Sequence, residues 1–286
     1  MQYSDQKKGM LLAFTGIIFI TPDSLFIRLA NIESWNLIFY RGIIPFLVVF
    51  TGLLCIYKEK IFKELIKNGW RGIAYAVVFT MTNIVFVISI ENTNVANTLI
   101  MIALAPMLSA VISFVFLKER PDQKTWAAII ITTLAVIYIF YDALDAGDFL
   151  GNFLGLVAAM GLAVGANIIR SAKKISLVPS AMLGKLMVTL IALLFIDNIK
   201  LEDKDLIIVP LMCIMCVAIP FVLVTLAPRY ITAAEVNLFF LLETIFGPLW
   251  VWLVIKEQPS FETIIGGSII IITIAIHSTL ALKKTR

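Results

Sequence analysis

The sequence predicts an all-α integral membrane protein, with ten transmembrane helices arranged as two inverted five-helix repeats. Three observations predict it. The 286 residues are 60% hydrophobic and only 15% charged, with a mean hydropathy of +0.99, whereas a soluble domain carries about 25% charged residues. The apolar residues come in blocks of ~20, the length that crosses ~30 Å of hydrocarbon. The chain also repeats itself: APMLSAVISFVFLKERPDQKTW at 105–126 aligns without a gap on ETIFGPLWVWLVIKEQPSFETI at 243–264.

The blocks place spans at 9–30, 35–57, 71–90, 94–117, 125–141, 149–169, 177–196, 206–226, 232–255 and 262–281. The first follows Lys7 and Lys8 and has no A-x-A-like cleavage site, so it reads as a retained span and not a signal peptide. It is interrupted by Thr21-Pro22-Asp23. Proline cannot donate a backbone hydrogen bond, and its ring opposes the carbonyl one turn back. Two readings stand. The chain restarts there as a short half-helix, with Thr21 as cap, Pro22 at the first helical position and Asp23 at the positive helix start. Alternatively the proline only kinks the span, and Asp23 forms a structural ion pair with Arg41.

After the second span comes the longest polar interval, Lys58–Gly69, too short to fold alone. Its Ile61, Phe62, Leu65 and Ile66 recur at helical spacing among lysines, which describes either a short helix on the inner leaflet or a solvated loop. Small residues at four-residue spacing mark close helix crossings: Ala105, Ser109 and Ser113 in span four, and Gly151, Gly155, Gly161 and Gly165 in span six. Pro45, Pro106, Pro220 and Pro248 are expected to bend spans around a cavity. Cys55, Cys213 and Cys216 all lie in apolar blocks. The CxxC of the last two reads as packing rather than a metal or redox site.

Orientation follows from charge. With the N-terminus cytoplasmic, most of the 23 Lys and Arg fall inside, among them Lys58, Lys60, Lys63, Lys67 and Arg71 in one loop and Arg170, Lys173 and Lys174 in another. Arg28, Lys200, Lys204 and Lys256 fall outside, as do the acidic stretches Asp142–Asp148 and Glu202–Asp205. The positive-inside rule therefore places both termini in the cytoplasm of a multi-pass protein of the cell (inner) membrane.

A weaker self-match sets Gly9–Arg28 against Gly151–Arg170, with Arg28 on Arg170. The halves are then residues 1–141 and 142–286, five spans each. Because five is odd, the second half lies upside down relative to the first. Two such halves can exchange conformations about an axis in the membrane plane, which turns an inward-open cavity into an outward-open one. That is the design of a transporter.

The five-plus-five layout resembles the drug/metabolite transporter (DMT) superfamily, specifically its EamA-like members. The resemblance rests on FYRGIIP in the second span, FVFLKERP, and LVIKEQP followed by TIIGGSIIIITIAI. Glu119 and Glu257 match the family's helix-end glutamate. The resemblance implies a carrier, most members exporting amino acids, related metabolites or drugs. Gln258, where the first copy has Arg120, and Asp23 depart from the pattern.

Ionisable residues within the spans are few: Asp23, Arg41, Lys185, Glu243 and His277, with Glu235 near a cytoplasmic end. A charge at the bilayer centre costs at least ~2.5–3.5 kcal/mol, so each should face the bundle interior and find a partner. A rise of ~1.5 Å per residue puts Glu243 near the midplane and Asp23 and Arg41 at similar depth in the outer part. Lys185 and His277 fall nearer the cytoplasmic side. Arg41 stays charged and can take a carboxylate or phosphate in a two-point grip. Trp35 and Tyr40 are the neighbours expected to supply an aromatic wall. Glu243 is placed to hold a cationic group or carry a proton, or else is a buried acid bonded to a neighbour. Asn83, Asn97, Asn167 and Asn237 should point inward, as ligand contacts or as interhelical glue.

The substrate-binding set expected from sequence is therefore Arg41, Glu243, Asp23, Tyr40, Asn83, Trp35 and Asn237. The expected function is secondary transport, in the export direction, of small polar metabolites such as amino acids by alternating access. Efflux of lipophilic organic cations or drugs, with Glu243 as anchor, is the alternative. An intramembrane enzyme lacks support, since paired aspartates, HExxH and a Ser/His pairing are missing, and no G-x-x-x-x-G-K-[ST] points to a nucleotide-driven pump. A lipid-binding scaffold leaves the intramembrane charges unexplained. Expected partners are a small-molecule substrate, the lipid bilayer and protons as a coupling ion. Monomer and homodimer both stay open, and no nucleic acid, cofactor, metal or catalytic residue is expected.

Overall fold

The computed structural model describes residues 2–30, 32–93, 95–119, 121–139, 149–201, 204–256 and 261–284. Among them every regular element is helical. The first half holds α1 (Gln2–Ile20), α2 (Asp23–Leu29), α3 (Ser34–Tyr57), α4 (Ile61–Lys67), α5 (Gly69–Asn92), α6 (Val95–Ile102), α7 (Ala105–Ile112) and α8 (Gln123–Ile139). The second holds α9 (Phe149–Ser171), α10 (Val178–Ala192), α11 (Asp205–Met212), α12 (Ile219–Leu226), α13 (Ala233–Ile255) and α14 (Phe261–Lys284). A π-helical turn, Ser113–Leu117, extends α7, and another, Cys213–Ala218, joins α11 to α12.

Counting α1–α2 and α11–α12 as continuous rods, 6 helices among the described residues are long and apolar enough to cross a membrane. Length and composition alone thus mark six of the ten expected spans. The 15 residues of α10 rise only ~22 Å, short of the ~30 Å of hydrocarbon, so it falls among the shorter apolar helices. The first helix starts at Gln2 rather than at residue 9. The expected acidic stretch at 142–148 and residues 257–260 lie outside the described residues, as do the side chains of Asn97 and Pro248.

The chain does restart at Thr21-Pro22. Helix α1 ends at Ile20 and α2 begins at Asp23 with Pro22 as its N-cap. Thr21 does not cap it. Its hydroxyl donates back to Ile18 O at 2.9 Å and accepts from Trp250 Nε1 at 2.9 Å, which ties the break to α13. Of the other prolines, Pro106 follows the turn between α6 and α7, Pro220 follows the second π turn, and Pro45 sits inside an unbroken α3.

Between α3 and α5 the lysine-rich interval is helical. Lys58 at φ 49 and Gly69 at φ 54 bracket α4, and Gly69 is the residue that adopts such a backbone without strain. Ile61 is buried while Phe62 and Ile66, one turn apart on α4, stand exposed. An exposed apolar pair on a lysine-bearing helix is the pattern expected of an interfacial helix.

The heavy helix contacts join one half to the other, among them α1 with α12, α3 with α10, α5 with α9, α7 with α13, and α8 with α14. Exchanging the halves maps α1·α12 onto α9·α5 and returns the other three pairs to themselves, as a two-fold repeat requires. The backbone carries the same signature. The aligned residues Lys118 and Lys256 are both left-handed, at φ 54 and φ 68, each ending its helix. They lie at opposite ends. Glu119 meets Arg170, which also bonds Pro228 O just ahead of α13, and Lys256 lies beyond α13's 23 residues, ~34 Å away along the axis.

The four glycines of α9 explain its seat on α5. A Cβ on Gly151 would lie 2.6 Å from Asn92 O, one on Gly155 would press on Ser89, and one on Gly161 would run into Thr82 Oγ1. At Gly151 the backbones themselves meet, and at Gly155 and Gly161 neighbouring side chains fill the space a Cβ would take.

Candidate functional site

A cavity of about 160 Å³ opens between the two halves. Its upper limit is the ion pair of Asp23 and Arg41. Arg41 comes from α3, one residue before Gly42, whose close approach to α10 brings Thr189 N and Lys185 O against it. The break at Pro22 puts Asp23 at the first position of α2, facing Arg41. Arg41 Nη1 donates to Asp23 Oδ1 at 2.6 Å and Nη2 to Oδ2 at 2.7 Å, a two-point clasp in a buried site. Beyond it, Ile27, Leu37, Ile90, Val209 and Met212 pack into an apolar cluster.

Towards the lysine-rich end the lining reaches Tyr75, Ile169, Thr225 and Pro228. Tyr75 Oη and Thr225 Oγ1 bond at 3.0 Å. Arg170 Nη1 donates to Pro228 O at 3.4 Å, and its Nε donates to Glu119 Oε1 at 2.9 Å. A charged clasp therefore stands at each end of the cavity.

Between the clasps the walls are mostly apolar, with Thr82, Asn83, Lys185, Asn237 and Glu243 set into them. Lys185 of α10 is 0% exposed, and its Nζ donates to Asn83 Oδ1 at 2.5 Å. Asn83 Nδ2 donates to Phe79 O at 2.7 Å, which fixes its oxygen towards Lys185. From α13, Glu243 is 3% and Asn237 1% exposed, and both line the cavity. Glu243 Oε1 and Asn237 Nδ2 find no hydrogen-bond partner among the described residues. A buried polar atom left unpaired costs about 1–3 kcal/mol.

Of the residues expected from sequence, Asp23, Arg41, Asn83, Asn237 and Glu243 meet at this cavity. Trp35 and Tyr40 do not. Trp35 stacks on Phe195 at 4.3 Å, and Tyr40 lies edge-on to Phe39. The aromatic wall consists instead of Tyr75, Phe79, Phe86, Phe221 and Phe240. Lys185 was left out of the expected set, although an intramembrane lysine is itself the signal. It also lies higher than its helix count suggests, because its carbonyl packs beside Gly42, at the level of the Arg41 clasp.

Several other polar groups in the helices have structural partners. Asn167 Nδ2 donates to Ser109 O and Oγ, at 3.1 and 2.9 Å, joining α9 to α7. His277 Nε2 and Thr125 Oγ1 share a 3.1 Å hydrogen bond between α14 and α8. Glu235 closes a capping box with Thr232 at the start of α13. Cys213 packs in the apolar cluster beyond Arg41, and Cys216 reaches the cavity wall. Among the described residues no group of three His, Cys, Asp or Glu could hold a metal ion.

The family model described as "EamA-like transporter family" matches residues 7–141 and, a second time, residues 147–279. Among curated proteins, none matches the chain. A solved crystal structure, described only as that of a protein, is similar to 96% of this chain over 99% of its own. The two superpose with a TM-score of 0.78 at 15% sequence identity, a likeness of fold.

Proposed function

Because the chain belongs to the EamA-like transporter family, membrane transporters of the drug/metabolite type, we propose that it exports small polar metabolites of the amino-acid kind. In this reading ten spans, five in 1–141 and five in 142–286, rock about the central cavity to expose it to each side in turn. Both termini and the lysine-rich end face the cytoplasm of the cell membrane.

The observation that carries the reading is the unpartnered pair on α13. Glu243 Oε1 lacks a donor and Asn237 Nδ2 lacks an acceptor, both inside one cavity. A solute bearing an ammonium group and a carboxylate oxygen satisfies both. Asp23, Arg41 and Asn83 line the same cavity, and no cofactor enters. A cavity of about 160 Å³ lies below the ~300–1,000 Å³ of drug-sized pockets, which favours a small metabolite. Counterflow of labelled amino acids into proteoliposomes tests the proposal. Glu243→Gln and Asn237→Ala should each abolish most of it, and undiminished counterflow in both variants would refute the assignment. Glu243 is also the group that would couple transport to protons, so an imposed pH gradient should drive uptake in the wild type and fail to do so in Glu243→Gln.

One observation favours a second reading. Five aromatic rings line the same walls as Glu243, a setting suited to a lipophilic cation. Competition of tetraphenylphosphonium against amino-acid counterflow separates the two.

A further inference from the structure

Arg41, the cation that the sequence singles out for gripping an anion, has both terminal nitrogens engaged by Asp23. Lys185 differs. It is fully buried, lines the same cavity, and has no carboxylate within 4 Å of its ammonium among the described residues. An ammonium has three donors. One goes to Asn83 Oδ1, and the Phe79 ring lies 5.3 Å from Nζ, a favourable but weak contact. Neither neighbour carries a counter-charge.

A buried cation without a counter-ion is among the more expensive features a membrane protein can hold. An arriving carboxylate removes that expense at Lys185. At Arg41 it would first have to displace Asp23 from a two-point clasp.

We infer that Lys185, held by Asn83, is the anchor for the substrate's carboxylate, and that the Asp23–Arg41 pair is a structural clasp above it. The inference rests on the transport reading and sharpens it. The cavity offers a free cation on α10 and a free carboxylate on α13, so its preferred solute carries both charges. An α-amino acid should bind better than the amine or the amide derived from it.

The test uses the full chain in proteoliposomes, with the common L-amino acids, their amides and the matching decarboxylated amines as probes. In the wild type, amides and amines should compete roughly tenfold less well than the parent amino acid, a loss of ~1.4 kcal/mol. Lys185→Met should erase that preference, and Lys185→Arg should restore part of it. Because Lys185→Met alters a buried site, Asn83→Asp supplies a second variant. It gives Lys185 a counter-ion within the protein, so it should raise the melting temperature while lowering amino-acid counterflow about tenfold.

Lys185→Met that still prefers the amino acid overturns the anchor, as does Asn83→Asp with unchanged counterflow. Loss of the preference in the doubly neutral Asp23→Asn/Arg41→Met chain alone would return the role to Arg41. A wild type that carries amines and amides as readily as amino acids refutes the inference while leaving transport standing. A wild type that carries none of the probes refutes both.

Discussion

Arg170 reaches from α9 in the second half to Glu119 in the first, Nε to Oε1 at 2.9 Å, beside the lysine-rich end of the cavity. The same guanidinium donates to the carbonyl of Pro228, which lines the cavity. It therefore ties three segments, α9, the turn after α7 and the turn before α13, where they converge. The first copy of the repeated KERP/KEQP motif supplies its carboxylate.

Loosening this clasp should open the cavity from that end. In a chain with Cys55, Cys213 and Cys216 changed to serine, Thr225→Cys should react faster with a water-borne thiol reagent once Glu119→Gln or Arg170→Gln is added. Stability should fall by no more than about 1 kcal/mol, since both partners are partly exposed. Equal labelling rates with and without the clasp would show that it does not limit access.

The Asp23–Arg41 clasp should behave differently, being buried on both sides. Asp23→Asn or Arg41→Met alone strands a charge, at a cost of about 3–5 kcal/mol. Together the two changes should recover much of that loss. Thermal unfolding in detergent of all four chains closes the cycle, and simple additivity would mean that the two side chains do not depend on each other.

Two glycines of one helix make a contrast. A Cβ on Gly42 would lie 2.8 Å from Thr189 N and 3.0 Å from Lys185 O, backbone atoms that cannot rotate aside, whereas Gly52 has nothing within 4 Å. Gly42→Ala should therefore cost about 1–3 kcal/mol and reduce transport by shifting Lys185. Gly52→Ala should be neutral or stabilise by up to ~1 kcal/mol through helix propensity. Melting temperatures of the two variants, measured side by side, check the order.

At the start of α13, Thr232 Oγ1 accepts from Glu235 N at 3.2 Å while Glu235 Oε2 accepts from Thr232 N at 2.7 Å. Thr232→Ala should cost about 1 kcal/mol of stability. Thr232→Ser should cost less, because the accepting oxygen is kept.

Some of the site was legible from the sequence and some was not, for a geometric reason. Asp23, Arg41 and Glu243 stand out because charge inside an apolar block is costly wherever the block folds. Trp35 and Tyr40 are near Arg41 along the chain but not at the cavity. Helix neighbours point ~100° apart, so Tyr40 turns to Phe39 while Arg41 turns to Asp23. The rings that line the cavity, Phe79 and Phe221 among them, come from α5 and α12.

Composition, block length and the repeated motif were enough to determine an all-helical membrane protein in two matching halves, because hydrophobicity and helical period are local properties of the chain. Only the tertiary structure decided which charges are spent on each other and which stay free. Arg41 is neutralised by a residue 18 positions away, whereas Lys185 meets an amide 102 positions away and no acid among the described residues. Lys185 meets Asn83 only where α10 of the second half packs on α5 of the first, and one-dimensional spacing cannot encode that contact.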